Sequence, residues 1–323
     1  MKALETTCVF RLLFSEKLTY QQSKATLLLL ARKGETAEEL YGCVRALRAL
    51  EPALPVDIPQ LMDTCGTGGD QSHSFNISTV AALLIAGAGG KVAKHGNRAI
   101  SSKSGSSDLM EALGVRLEAP RRKMIQSIER FGIGYFHAPY YHPVFARVQA
   151  LRRELKVRTI FNFVGPLLNP LKISAQLVGV AKGDYVPLYA RVLSKIIKSA
   201  WVCHSADNLD EISTSQPTQI AEIKKGRIRF SRILPAEFGY HKIPKSAYTG
   251  GTVIENRDKT LELLRGRLSG PLRDIVVLNA GAGLMISGMA VDLRDGIARS
   301  LDALESGRAY RSLLGLRKLS RQL

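Results

Sequence analysis

The sequence has 323 residues, 45% of them apolar and 7% aromatic, which is enough to bury the core of one large or two smaller soluble domains. Its net charge is +18, from 46 Lys and Arg against 28 Asp and Glu. The basic residues lie in short scattered clusters without a long tract, zinc finger or aromatic–basic motif, so nucleic acid is not expected as the main partner. No apolar run is long enough to span a bilayer, no secretory leader is legible, and the four cysteines form no CxxC pair. A cytoplasmic protein without membrane association, disulfide frame or zinc site is therefore expected.

Residues 1 to about 55 read as helices. Thr19 caps the segment YQQSKATLLLLARKG, which ends at Gly34. Thr36 and Glu39 form a capping box ahead of Leu40, Val44, Leu47 and Leu50 at helical spacing. Pro52 and Pro55 mark a boundary. From Ile58 strands and helices alternate. Strands are predicted at 58–63, 91–94, 134–136, 176–180 and 200–204, and a hairpin at 218–223 and 228–233 with its turn near Lys225-Gly226. Helices are predicted at 78–86, 107–113, 143–155, 186–197, 258–268, 274–288 and, as one long element, 293–316. The pattern predicts an α/β fold: a small N-terminal helical domain, residues 1–57, completed by helices around 138–156, and a large domain, residues 58–323, with a mostly parallel central sheet flanked by helices.

The chemistry concentrates between Asp63 and Asp108. GTGGD, Gly66 to Asp70, follows a strand and precedes a helix that starts at Asn76-Ile-Ser78-Thr79. Glycines let the backbone approach a ligand, and a helix start offers N–H donors to an anion. The pattern is neither GxGxxG nor GxxxxGK[ST], so it is not a dinucleotide loop or a P-loop; a tight turn with a helix cap is the plainer alternative. KHGNR, Lys94 to Arg98, and SSKSGSSD, Ser101 to Asp108, place several donors at the next strand end. Arg and Lys suit phosphate oxygens there. His95 taken alone reads as a satisfied structural histidine. Asp210-Glu211 follow a strand in a polar loop; adjacent carboxylates suit Mg²⁺, although an exposed acidic turn is the commoner case. Arg152, ten residues after His142, sits on a predicted helix with Phe145 and Arg153, and its guanidinium can grip a carboxylate.

DTCGTGGDQSHSFNIST, VAKHGNRAISSKSGSSD, YHPVFARVQALRRELKVRTIFNFVGPLLNP, NLDEISTS and GPLRDIVVLNAGAGLMISG, together and in order, resemble the anthranilate phosphoribosyltransferases from about Lys33 to the C-terminus. The resemblance implies transfer of a phosphoribosyl group from phosphoribosyl pyrophosphate to the amine of anthranilate, in tryptophan biosynthesis, by a homodimer joined through its helical domain. It implies two Mg²⁺ ions on Ser78, Asp210 and Glu211. It implies phosphoribosyl pyrophosphate on Gly66, Thr67, Gly69, Asp70, Ser74, Asn76, Ser78, Thr79, Lys94 and Ser106, and anthranilate on Gly66, Asn97, His142, Phe145 and Arg152. No general base is named, because the aromatic amine is already a neutral nucleophile. Gln71 stands where the family usually has Gly, Ser74 where it usually has Thr, and the N-terminal region is short by about one helical hairpin. The alternatives are a phosphoribosyltransferase of another aromatic amine, a pyrimidine nucleoside phosphorylase-like enzyme, and an inactive relative that binds nucleic acid. The Arg152→Ala variant should weaken anthranilate use more than phosphoribosyl pyrophosphate binding; equal loss in both Michaelis constants would count against the carboxylate role.

Overall fold

The structure, a computed structural model, describes residues 1–70, 72–99 and 103–322, and within them all side chains except those of Arg147 and Arg152. The chain opens with three helices, α1 (Ala3–Phe14), α2 (Tyr20–Lys33) and α3 (Ala37–Leu50). Both predicted caps form. The Gln22 N–H donates to Thr19 Oγ1 at 3.2 Å and the Thr19 N–H to Gln22 Oε1 at 2.9 Å. Thr36 and Glu39 exchange the same pair of bonds at 3.3 and 3.0 Å.

After the two prolines the alternation sets in. β1 (Leu61–Gly66), α4 (Ile77–Gly87), β2 (Lys91–Gly96), α5 (Ser106–Ala112), α6 (Arg121–Phe131) and β3 (Ile133–His137) form one half. Next come α7 (Ala138–Tyr141), α8 (Ala146–Leu155), β4 (Ala175–Gly179), α9 (Tyr185–Leu193) and β5 (Ser199–Ser205). The hairpin is β6 (Thr218–Lys224) and β7 (Arg227–Ile233), turned at Lys225 and Gly226, both at positive φ (49° and 80°). Four helices close the chain: α10 (Val253–Leu264), α11 (Pro271–Ser287), α12 (Leu293–Glu305) and α13 (Arg308–Ser320).

Among the described residues the strands form one sheet in the order β3-β2-β1-β4-β5-β6-β7. β1 to β5 run parallel and the hairpin antiparallel, so the expected α/β architecture stands. The order reverses between β1 and β4. In open parallel sheets, ligands bind beyond the carboxyl ends of the strands at that point. The apolar helix α4 is buried along almost its whole length, packed on β1 and β2 and covered by α11 and α13. A second apolar cluster joins Phe10 and Phe14 of α1, Leu27 and Leu30 of α2 and Leu40 and Leu47 of α3 to Val148 and Leu151 of α8. It continues onto Val178 of β4 and Val202 of β5, so the N-terminal helices are fixed to the sheet. No described helix is long and apolar enough to cross a membrane.

Four expectations about elements need correcting. The predicted helix 293–316 is two helices, because Ser306-Gly307 breaks it with Gly307 at φ 68°. α6 falls where no helix was expected: its N-terminal turn is Arg-Arg-Lys and carries no acid. α10 starts five residues before the predicted Asp258, because Thr252 caps it and Glu255 completes a capping box. Residues 143–155 are a single 3₁₀ turn, Pro143–Phe145, followed by α8, not one helix.

Candidate active site

Several of the predicted phosphate-binding residues meet where β1, β2, β4 and the loop after β5 converge. Gly66 ends β1, and the Thr67 N–H donates to Gly179 O at 2.9 Å, joining the glycine loop to the end of β4. The Thr67 hydroxyl is taken by the Ala181 N–H at 3.2 Å. Gly68 and Gly69 have φ of 61° and 77°, which an L side chain would strain. Ser78 and Thr79 lie in the first turn of α4, where N–H groups face the carboxyl edge of the sheet. Lys94 is almost fully buried; its ammonium donates to Thr64 O and, at 3.3 Å, to Ser78 Oγ.

Asp210 and Glu211 are brought to the same place. The Glu211 carboxylate accepts from the Ser78 N–H at 3.1 Å. Asp210 lies so close to Gly66 that a Cβ there would stand 2.3 Å from Asp210 Oδ2. The supporting contacts come from far along the chain. The Asn279 side chain of α11 brackets Ile212, accepting from its N–H at 3.0 Å and donating to its carbonyl at 2.8 Å. Ser205 Oγ accepts from the Leu209 N–H. These bonds turn an Asp-Glu pair that could have been an exposed acidic bend into one that points inward.

Burial disfavours the charged form of both carboxylates. Burial, followed by the neighbouring Asp70 carboxylate, pushes Asp210 up to about 7. Burial and Asp210 raise Glu211 well above the usual carboxylate range, against the pull of Lys94. Asp70 Oδ2 is buried with no donor. Among the described residues no three His, Cys, Asp or Glu side chains converge on one point. The protein therefore offers an incomplete set of hard oxygen ligands. That suits Mg²⁺, which keeps several waters and takes the rest of its ligands from substrate phosphates.

The other predicted phosphate-binding residues are held by contacts of their own. Asn76 and Ser104 hold each other, with Asn76 Nδ2 donating to Ser104 O at 3.1 Å and Ser104 Oγ to Asn76 Oδ1 at 3.2 Å. Ser74 pairs with Thr249 in an isolated antiparallel bridge. Ser106 opens α5; its hydroxyl donates to Asn97 O and accepts from the Asn97 N–H, both at 3.2 Å. Gln71, Ser101 and Ser102 lie outside the described residues, as does the Arg152 side chain.

Through the predicted acceptor residues His142 and Phe145, aromatic rings run from the end of β2 to α1. His95 meets His142 edge-on at 5.1 Å, His142 meets Phe145 at 6.3 Å, and Phe145 meets Phe14 at 6.3 Å. His142 is buried with both nitrogens engaged, Nδ1 with Glu51 at 2.8 Å and Nε2 with Leu168 O at 2.7 Å. Neither ring nitrogen of His142 is therefore free to bond a ligand.

Two residues that sequence reasoning passed over stand out. His95, read as structural, has a buried Nε2 with no partner. Arg158 lies along the glycine loop: a Cβ on Gly69 would sit 3.1 Å from its Nη1, and its guanidinium stacks on Phe163 and Tyr185. Its Nε is buried without a partner. Nothing local in VRTIFN signals that this arginine reaches the loop.

Burial, then the charges of His142 and Arg48, holds the His95 imidazole well below its ordinary pKa, and burial followed by Arg98 lowers that of His137. Both rings then hold a proton less readily when folded than when unfolded, so the stability they contribute is present above the unfolded value of about 6.5 and is lost as pH falls below it. Each contributes a slope of up to about 1.4 kcal/mol per pH unit. Comparing melting temperatures from pH 7 to 5, His95→Gln should flatten the decline; an unchanged slope would show that His95 protonates freely in the folded state.

A family model described as "Glycosyl transferase family, a/b domain" matches residues 58–310. The anthranilate phosphoribosyltransferase of Exiguobacterium sibiricum is 43% identical over 97% of this chain and 92% of its own length. That of Desulfosudis oleivorans is 42% identical over 94% and 90%. The crystal structure of the Thermus thermophilus anthranilate phosphoribosyltransferase superimposes with a TM-score of 0.93 at 37% identity, covering 100% of this chain and 96% of that one. Any N-terminal shortfall against that protein is confined to its small unmatched remainder. The Saccharomyces cerevisiae enzyme, solved in complex with PRPP and Mg, shares the fold at a TM-score of 0.90 and 23% identity.

Proposed function

The chain belongs to the anthranilate phosphoribosyltransferase family, and on that premise we propose how its own residues carry the reaction. The enzyme transfers the phosphoribosyl group of phosphoribosyl pyrophosphate to the amine of anthranilate, giving N-(5-phosphoribosyl)anthranilate and pyrophosphate in tryptophan biosynthesis. The observation that carries the residue assignment is the convergence of Gly66, Ser78, Lys94 and the Asp210–Glu211 pair at the sheet's switch point.

Breaking the bond between C1 and pyrophosphate builds positive charge on the ribose and negative charge on the leaving group. Electrostatic stabilisation of that leaving group is the main task. Mg²⁺, two ions in our reading, neutralises the developing pyrophosphate charge when bound, held by Ser78, Asp210 and Glu211. Gly66, Thr67, Gly69 and Asp70 bring backbone and side-chain groups to the same substrate, with Ser74, Asn76, Thr79, Lys94 and Ser106 completing its site. The buried Lys94 keeps one N–H beyond its two protein bonds, at the sheet end where phosphate collects. Asn97, Gly66, His142, Phe145 and Arg152 flank the acceptor. The aromatic row supports that reading, since a flat aromatic acid can stack edge-on along it. Positioning the neutral amine against C1 then does the work that a base would otherwise do.

Residues 1–57, with helices around 138–156, form the helical domain in this reading, and 58–323 the catalytic domain; the family match beginning at residue 58 supports the boundary. A cytoplasmic homodimer through the helical domain is also proposed. Exposed Leu4, Cys8 and Leu12 recur every four residues on α1, and Leu29 is exposed on α2, an apolar stripe of the kind a second copy covers. The rival readings, including phosphorolysis of nucleosides, gain no support from the relatives.

The test is loss of anthranilate fluorescence on addition of phosphoribosyl pyrophosphate and Mg²⁺. Turnover that requires all three is expected; no turnover by well-folded protein would overturn the assignment.

A further inference from the structure

We infer that Asn256 is a positioning residue for phosphoribosyl pyrophosphate binding, acting through Asn76. The inference rests on the reading of Asn76 as a substrate-binding residue. Asn256 lies in the first turns of α10, 180 residues from Asn76, and is 1% exposed. Its Nδ2 donates to Asn76 Oδ1 at 3.0 Å, and its Oδ1 accepts from the Gly251 N–H at 2.8 Å.

The two bonds do different things. The bond to Gly251 closes the turn that leads into α10. The bond to Asn76 adds a second donor to an amide oxygen that already accepts from Ser104 Oγ. With Asn76 Nδ2 donating to Ser104 O, both ends of the Asn76 amide are fixed, and one N–H remains to be aimed at a ligand. Ser104 alone sets which way the amide faces but leaves it tied to one loop, whereas Asn256 ties it to α10 as well. An amide held between two elements moves less, and such pre-organisation lowers the cost of binding.

The backbone reinforces the arrangement. The Phe75 N–H donates to Tyr248 O at 2.8 Å and the Gly250 N–H to His73 O at 2.9 Å, around the Ser74–Thr249 bridge. Residues 248–251 thus lie against 73–76 as a short two-stranded strip. The contact is close enough that a Cβ on Gly250 would stand 2.8 Å from Ser74 O. A cavity of about 200 Å³ opens beside the strip, lined by Ser74, Lys103, Ser104, Gly250 and Asn256 among others.

The experiment compares Asn256→Asp, Asn256→Ala, Asn76→Ala and the double variant Asn76→Ala/Asn256→Asp. The Asn256→Asp change keeps the acceptor for Gly251 but sets an oxygen against the Asn76 oxygen. It should raise the KM for phosphoribosyl pyrophosphate about fivefold to tenfold, the worth of one buried hydrogen bond, and leave the KM for anthranilate within about twofold. Its melting temperature should fall by no more than that of Asn256→Ala plus the cost of the buried carboxylate, with the split between the two KM values kept at temperatures below it, and the double variant should bind no worse than Asn76→Ala alone. If Asn256→Asp is poorly folded, Asn256→Ala measured below its melting point reads the same split between the two KM values. An unchanged KM in the Asn256 variants beside a raised KM in Asn76→Ala, or fully additive losses in the double variant, overturns the positioning role. An unchanged KM in Asn76→Ala overturns the substrate-binding reading of Asn76, and the positioning role with it.

Discussion

Replacing Glu211 with Gln should lower kcat/KM for phosphoribosyl pyrophosphate by about 10²–10³, the usual loss when one group aimed at developing charge is removed. It should also raise the Mg²⁺ concentration that gives half-maximal rate. Stability should move the other way. Glu211 is buried, and its charged form is disfavoured first by burial and then by Asp210. Gln keeps an oxygen to accept from the Ser78 N–H but brings no charge into the site. The metal-free Glu211→Gln protein should therefore melt no lower than wild type, the pattern of a functional group kept at a cost to the fold. Melting curves without Mg²⁺, set beside a Mg²⁺ titration of the rate, decide the matter. A rate within twofold of wild type, or a large fall in melting temperature, would show that Glu211 supports the loop and does not serve the chemistry.

The reason Glu211 matters is only partly written near it in the sequence. Local signals were readable: the glycine loop after a strand, the capping boxes at Thr19 and Thr36, and the Lys225-Gly226 turn all follow from backbone preferences of a few residues. Alternating periodicity gave the sheet and its flanking helices for the same reason. Long-range partners were not readable. An asparagine in an apolar helix does not announce that it will bracket Ile212, as Asn279 does. Nor does an arginine in a loop announce that it will lie along Gly69, as Arg158 does. His95 was passed over because burial alone does not say whether a histidine's second nitrogen finds a partner. The helix break at Ser306-Gly307 rests on a single glycine at positive φ, and an isolated glycine inside a helical pattern does not by itself signal a break. The basic first turn of α6 hid a helix whose buried face is carried by Met124 and Ile128. In each case the deciding term is tertiary packing, which a single chain's periodicity does not encode.

Packing around Asp210 also gives the second large effect, and it separates two glycines that look alike in sequence. Gly66 and Gly179 end neighbouring parallel strands and both face Asp210. A Cβ on Gly179 would stand 1.5 Å from Asp210 O and 2.4 Å from its carbonyl carbon. Backbone cannot rotate away, so β4 or the loop that carries Asp210 must shift. Gly179→Ala should cost about 3 kcal/mol, at the upper end for overpacking. For a chain of 323 residues that is a fall of about 4–5 °C in melting temperature. Activity should fall with it, because the displaced segment holds both carboxylates. At Gly66 the contact is with Asp210 Oδ2, at 2.3 Å, the far end of a side chain that can swing aside. Gly66→Ala should therefore melt close to wild type yet lose activity about 10²-fold and need more Mg²⁺, since the swing takes an oxygen away from the cation. Calorimetry and a Mg²⁺-dependent rate assay on the two variants separate fold from function. Equal losses of stability in both would mean that Asp210 is held as rigidly by its side chain as by its backbone, and that the carboxylate has no freedom to adjust to a metal.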